Sequence, residues 1–303
     1  MNIRHITSQS IDRDKWNACI NQASNGLVYA YSWYLDGMAL HWDALVLGDY
    51  EAVMPLTWNR KYGIAYLYQP YLCAQLGIFG EKVDAATMKQ FMHSIPKQFK
   101  YWDFYLNHQN LFPIAGIHFY ERRNFILNLR FTYDELASAY RDNIRRNIKK
   151  AVQVGCTPTK GFDVDQVINL AKSQAREGGM ETDDNLGRFR ELYLQMKQRG
   201  QAETYGILSG RGELIASCVF IFSHNRAYYI LVGNHPDGRT IGASHALIDS
   251  FIRDHAGENL LLDFEGSDLR NLAFFYSSFG AREEKYFGVK ANTLPFYLKW
   301  LKR

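Results

Sequence analysis

Cysteine is scarce in this chain and unpaired in pattern. Four occur in 303 residues, Cys19, Cys73, Cys156 and Cys218, and no two form a CxxC pair. That argues against a disulfide framework or a thiolate metal site and fits a reducing cytoplasm. No stretch approaches the roughly 18 uninterrupted apolar residues of a membrane helix. The opening MNIRHITSQSIDRDKW lacks the apolar run of a signal peptide. Low-complexity tracts, Pro/Gly/Ser linkers and long heptad runs are also missing. The formal charge is only +4, too small to imply nucleic-acid binding by itself. What remains is an ordinary globular composition, 47% hydrophobic and 22% charged, long enough for two medium domains.

The small charge excess is concentrated. RDNIRRNIKKAVQVG (141–155) holds Arg141, Arg145, Arg146, Lys149 and Lys150 against one acid, Asp142. Outside it, Lys plus Arg balance Asp plus Glu. Thr132 and Glu135 have the T-x-x-E spacing of a capping box, and Gly155 offers a stop. Ile144, Ile148 and Val152 recur every fourth residue, with the bases on the opposite arc. The spacing predicts one amphipathic helix over 132–155. Its outward bases read as a solvated face, as contacts from Arg145 and Lys149 to an anionic substrate, or as part of a tRNA footprint.

The first half reads as mixed α/β. A helix is expected over 12–24, a hairpin about Gly48-Asp49, aromatic β-rich runs over 64–79, a helix over 85–99 capped by Asp84, and strands at 101–106, 116–120 and 124–131. Gln69, held extended by Pro70, is a candidate to point a polar group into a cleft. After a short strand at 156–161 the second half shows two helices, FDVDQVINLAKSQAREGG and NLGRFRELYLQMKQRG. The strands AETYGILS, ELIASCVFIF and RAYYILVG form an antiparallel meander. A turn (NHPDGR), a helix (TIGASHALIDSFIRDHA), a strand (ENLLLDFEGS), a helix (SDLRNLAFFYSSFG) and a strand (AREEKYFG) complete it.

The junction of the meander with the next helix carries the sharpest chemistry. Arg239, Gly242 and Ser244 stand as R-x-x-G-x-S where a strand passes through a turn into a helix. A helix N-terminus offers unpaired N–H groups and partial positive charge. With Gly242, Ala243 and Ser244 all small, a phosphate can approach that backbone. The same residues also suit a helix start that needs small side chains for packing.

Element order and this motif resemble the GNAT acyltransferase superfamily, whose pyrophosphate loop reads Q/R-x-x-G-x-G/A; Ser244 replaces the last small residue. NLAFFYSSFGA (271–281) is similar to that family's late helix. YRDNIRRNIKKAVQVG, the Ser32-Trp33 pair and DFEGS resemble the FemAB-like, or BioF2-like, acyltransferases, which are tandem GNAT folds. The resemblance implies an α/β (α+β) chain of two GNAT-like mixed-sheet domains, 1–131 and 132–303, with helix 132–155 linking them.

The resemblance also implies a donor, acetyl-CoA or another acyl-CoA, lying along the splayed strands at 228–233 and 259–265. Its carbonyl and phosphates would meet backbone near Val232 and the Arg239, Gly242, Ala243 and Ser244 loop. Tyr276 is the candidate acid for the departing thiolate, or else a core tyrosine. An amine acceptor needs a base, because ammonium is not nucleophilic. Asp263 and Glu265, two apart on an expected strand and so on one face, are the candidates. Asn234 is a candidate to orient substrate, while His235 and His245 read as loop histidines.

The implied activity is direct acyl transfer from CoA to an amine or hydroxyl of a small molecule or cell-envelope precursor, without metal, in the cytoplasm. Two alternatives stay open. One is Fem-like transfer from aminoacyl-tRNA to a peptidoglycan precursor, against which the missing coiled-coil insertion counts. The other is a non-catalytic binding protein of the same fold. Acceptor, acyl length and oligomeric state are not set by the sequence.

Overall fold

The computed structural model describes residues 2–174, 179–266 and 268–295, with Arg239 by its backbone alone. The chain forms two compact units, 1–122 with 285–303, and 123–284. The expected division was 131/132. The observed grouping places 123–131 with the second unit and returns the last strand to the first. It also gives the whole of 132–155 to the second unit.

The first unit runs β1 (Ile3–Thr7), α1 (Arg13–Gln22), α2 (Ser32–Met38), β2 (His41–Leu47), β3 (Ala52–Lys61), β4 (Ile64–Tyr68), β5 (Phe79–Gly80), α3 (Ala85–His93) and β6 (Phe99–Tyr105). Asp12 and Asp84 cap α1 and α3, accepting from the N–H groups of Lys15 at 3.1 Å and Thr87 at 2.7 Å. β1 to β4 are joined antiparallel, and β4 runs parallel to β6. A core of Leu45, Met54, Phe91, Phe99 and Val289 fills one side. Gln69 stitches loops together within this unit: its Oε1 accepts from Tyr105 N–H at 2.8 Å and its Nε2 donates to the Cys73 carbonyl at 2.5 Å.

The chain continues through β7 (His118–Asn128), α4 (Tyr133–Ser138), α5 (Asp142–Gln153), β8 (Thr157–Lys160), α6 (Val164–Lys172), α7 (Asp183–Gln198), β9 (Ala202–Leu208), β10 (Leu214–Ser223), β11 (Arg226–Asn234), α8 (Pro236–Ile241), α9 (Ala243–His255), β12 (Leu261–Asp263), α10 (Arg270–Ser277) and β13 (Arg282–Asn292). In the second unit β8, β9, β10 and β11 are antiparallel neighbours. β12 runs parallel to β11 and antiparallel to the end of β7. Each unit therefore has the order strand, helix, helix, three-strand meander, helix, parallel strand. This repeat is visible in topology and not in residue identity. Among the described residues no helix is long and apolar enough to cross a membrane.

The basic stretch departs from its expected single helix. The capping box forms, with Thr132 and Glu135 bonded reciprocally, but α4 ends at Ser138. Arg141 is extended, at φ −69° and ψ 157°. Its N–H donates to the Ser278 carbonyl at 2.9 Å instead of continuing the helix. Ile144 and Ala151 are buried, while Val152 is 66% exposed and lies off the packed stripe.

Candidate active site

The motif loop is built from two short helices meeting at Gly242. The expected turn at 234–239 is largely α8. His235 caps it, its Nδ1 accepting from Asp237 N–H at 3.3 Å. Gly242 is left-handed, at φ +85° and ψ 20°. A Cβ there would lie 2.5 Å from the Asn147 carbonyl oxygen on α5. The glycine is thus required by the close approach of α5 as well as by its backbone angle. Gly242→Ala is expected to cost about 1–3 kcal/mol, read as a lower midpoint in urea unfolding.

Beyond that corner α9 begins. The amides of His245 and Ala246 donate to the Gly242 carbonyl at 3.0 and 3.1 Å. Ala243 and Ser244 occupy the first turn, where N–H groups lack intrahelical acceptors. The Ser244 hydroxyl donates to Asn234 Oδ1, so two predicted site residues meet at the end of β11. The Arg239 side chain lies outside the described residues.

Helix α5 fastens this loop. Lys150 Nζ donates to the Thr240 carbonyl at 2.8 Å, which sets one ammonium beside the start of α9. Arg145 is turned elsewhere, donating to the Ser138 and Ala137 carbonyls at 2.7 and 3.3 Å and so capping the end of α4. Lys149 is exposed. The bases of 141–155 thus divide between fastening, capping and solvent.

His245, expected as a loop histidine, is half-buried. Its ring meets Phe275 edge-on at 4.9 Å, and burial lowers its pKa to about 4. As pH falls below the ordinary 6.5, the unfolded chain binds a proton that the folded chain refuses. Stability should therefore fall between about pH 6.5 and 4, by roughly 1–2 kcal/mol after allowing for the part of the ring water reaches. Urea midpoints at pH 7 and pH 5 check this. The decline should shrink in His245→Leu.

The strands part where the resemblance places the donor. β11 pairs with β12 only over Arg226, Ala227 and Tyr228, opposite Leu261, Leu262 and Asp263. Beyond this fork β11 continues for six residues. It carries a bulge against β10 between Ser217 and Val219, where Leu231 has φ +48°. A bulge breaks the ladder and re-aims backbone groups. Val232, half-buried, lies next to it. Nothing in the sequence marks Leu231, because leucine has no preference for this conformation.

Asp263 and Glu265 do not share a strand face. β12 ends at Asp263, which is 2% exposed, and its Oδ1 accepts from Glu265 N–H at 2.8 Å. Glu265 is left-handed at φ +60°. Oδ2 of Asp263 takes Arg226 Nη1 at 2.8 Å, so this carboxylate is held in an ion pair while Glu265 is half-buried beyond the strand. Tyr276 is 7% exposed and stacks on Phe264, centroids 4.5 Å apart. Burial, and then the Glu265 charge, push its phenol well above the ordinary tyrosine range. It therefore stays protonated at neutral pH.

This geometry fits an extended donor ending in phosphates: a partly unpaired strand edge, a bulge, then a helix start with small residues. Among the described residues no cluster of His, Cys, Asp and Glu is arranged to hold a metal.

Residues 138–270 match the sequence family described as acetyltransferase (GNAT) domain. No curated protein matches the chain by sequence. Among solved structures, FemX aligns at 14% identity and TM-score 0.66, over 95% of this chain and 97% of FemX. A tandem GNAT protein from the clavulanic acid biosynthesis pathway aligns at 11% identity and TM-score 0.59, covering 97% and 99%. L-PGS from Bacillus licheniformis aligns at 12% and 0.57, covering 96% and 95%. Residues 138–270 thus match a GNAT acetyltransferase domain, and the chain has the fold of FemX and of the tandem GNAT protein.

Proposed function

We propose that the protein transfers an acyl group, acetyl in the simplest case, from CoA to an amine or hydroxyl by direct attack. The observation that carries this reading is the fork: β11 leaves β12 after Tyr228 and runs on to the Ser244–Asn234 pair at the start of α9. Backbone groups near Leu231 and Val232 would hold the thioester and pantetheine. The first turn of α9, with Gly242, Ala243, Ser244 and the Arg239 backbone, would receive the pyrophosphate. Acceptor nitrogen attacks the thioester carbonyl carbon and its proton goes to Glu265. The carbon–sulfur bond breaks, and Tyr276 gives a proton to the thiolate. Asn234 and the exposed Lys149 are the candidate acceptor contacts, with Arg145 retained only if it leaves its capping position.

Acetyl-CoA should raise the thermal midpoint in proportion to the logarithm of its concentration, by about 2.7 kcal/mol of stability at a hundred times Kd. No shift with any acyl-CoA contradicts the proposal. The FemX likeness favours one second reading, aminoacyl transfer from tRNA to a cell-envelope precursor. Tight tRNA binding that weakens steeply with salt, without CoA binding, would select it.

A further inference from the structure

The fork has a cause within the second unit. Arg226, at the first position of β11, is buried, and its Nη2 donates to Glu284 Oε1 at 2.8 Å. Its Nη1 bridges Asp263 Oδ2 at 2.8 Å and Glu284 Oε2 at 3.0 Å. Asn124, fully buried, donates to Asp263 Oδ1 at 2.9 Å and Glu284 Oε2 at 3.3 Å. The remaining acceptor capacity of Asp263 Oδ1 goes to the Glu265 amide at 2.8 Å. That bond is an Asx turn, which competes with strand continuation. It ends β12 at the residue opposite Tyr228, the last paired position of β11.

A left-handed glutamate is strained and persists only when its surroundings over-determine it. Here the surroundings include a network of charged and polar side chains with Asp263 at its centre. We propose that Arg226, Asp263, Glu284 and Asn124 form a positioning assembly. It opens the fork between β11 and β12 and holds Glu265 left-handed. Asp263 is then a positioning residue and Glu265 the group that takes the acceptor's proton. The inference rests on the acyl-transfer reading for the role of Glu265, but not for the conformation of Glu265.

The test compares Asp263→Asn, Asp263→Ala and Glu265→Gln in the full chain. Asparagine keeps the oxygen that accepts the Glu265 amide, whereas alanine does not. The first readout is the φ-sensitive backbone shifts and amide exchange of Glu265 in glutamate-labelled protein by NMR. Wild type and Asp263→Asn should show the left-handed signature and a protected amide, and Asp263→Ala should lose both. Where Asp263→Ala does not fold, Arg226→Met with Asp263→Leu replaces that pair by apolar groups and should lose the signature equally. A left-handed Glu265 in either turn-deleted protein overturns the proposal.

The second readout is CoA release from acetyl-CoA against pH. Asp263→Asn should retain more than a tenth of kcat with KM and the acidic limb in place. Asp263→Ala should fall about 100-fold, as far as Glu265→Gln. If Asp263→Asn is as inactive as Glu265→Gln, Asp263 is itself the base and the assignment fails. Wild type that neither binds nor turns over acetyl-CoA fails the acyl-transfer reading, and the NMR readout then decides the positioning assembly separately.

Discussion

Tyr276→Phe is expected to lower kcat for acyl transfer from acetyl-CoA by about 100-fold or more, with acetyl-CoA affinity within about twofold of wild type. The ring is retained, so its stack on Phe264 at 4.5 Å and its contact with Phe275 persist. Only the hydroxyl is lost, and with it the proton for the thiolate. Because burial and Glu265 hold the phenol above its ordinary range, wild-type activity should show no loss from Tyr276 ionisation up to about pH 10. Steady-state rates from pH 6 to 10, with calorimetric affinities beside them, check both parts. Unchanged kcat in Tyr276→Phe assigns the residue to the core.

Arg226→Ala is expected to cost about 3–5 kcal/mol of stability, the largest effect of any substitution considered. The guanidinium is buried against two carboxylates, with side-chain exposure of 8% beside 3% for Asp263 and 14% for Glu284. Burial alone works against its charge, and Asp263 and Glu284 more than offset that. Removing it leaves two acids in a low-dielectric site without the cation that offsets their charge. Arg226→Met combined with Asp263→Leu should recover part of the loss, since apolar replacement of a buried pair is often tolerated. Urea denaturation of the three proteins measures it. Less than about 1 kcal/mol for Arg226→Ala would mean that water reaches the cluster.

Local signals carried much of the second unit into view. The meander is legible because its separators are turn residues: His224 and Asn225 both take the left-handed conformation of a two-residue hairpin turn. The capping box at Thr132 is legible for the same reason, being settled within four residues. The motif loop lies between β11 and α9, but one reason for its glycine is not visible in the sequence. Asn147 presses on Gly242 from a helix 95 residues earlier in the chain, and no spacing rule reports such an approach. The break at Arg141 is not legible because its competing acceptor, Ser278, is more distant still in sequence.

The fork shows the same limit at the site itself. ENLLLDFEGS reads as one strand, so Asp263 and Glu265 were expected side by side. Arg226, 37 residues upstream, binds Asp263 and with Asn124 stabilises the turn that separates them. Apolar periodicity specifies which strands exist. Where a strand stops is decided here by buried charges whose partners are remote, and those charges are what distinguish the two carboxylates.

The central claim is that the first turn of α9, not only the fold around it, receives the donor's pyrophosphate. Gly242→Asp cannot test this, because any Cβ there meets α5. Ser244→Asp can. Ser244 is only half-buried, and an acid in the first turn favours the helix by about 0.3–1 kcal/mol, which offsets the lost hydroxyl bond to Asn234, so the variant should fold with about wild-type stability. Its carboxylate would stand where the phosphates must come. Calorimetric titration of both proteins with acetyl-CoA is the direct measurement. The prediction is one site per chain in wild type and at least about tenfold weaker binding in Ser244→Asp at unchanged thermal stability. Equal affinity in the two proteins would contradict it.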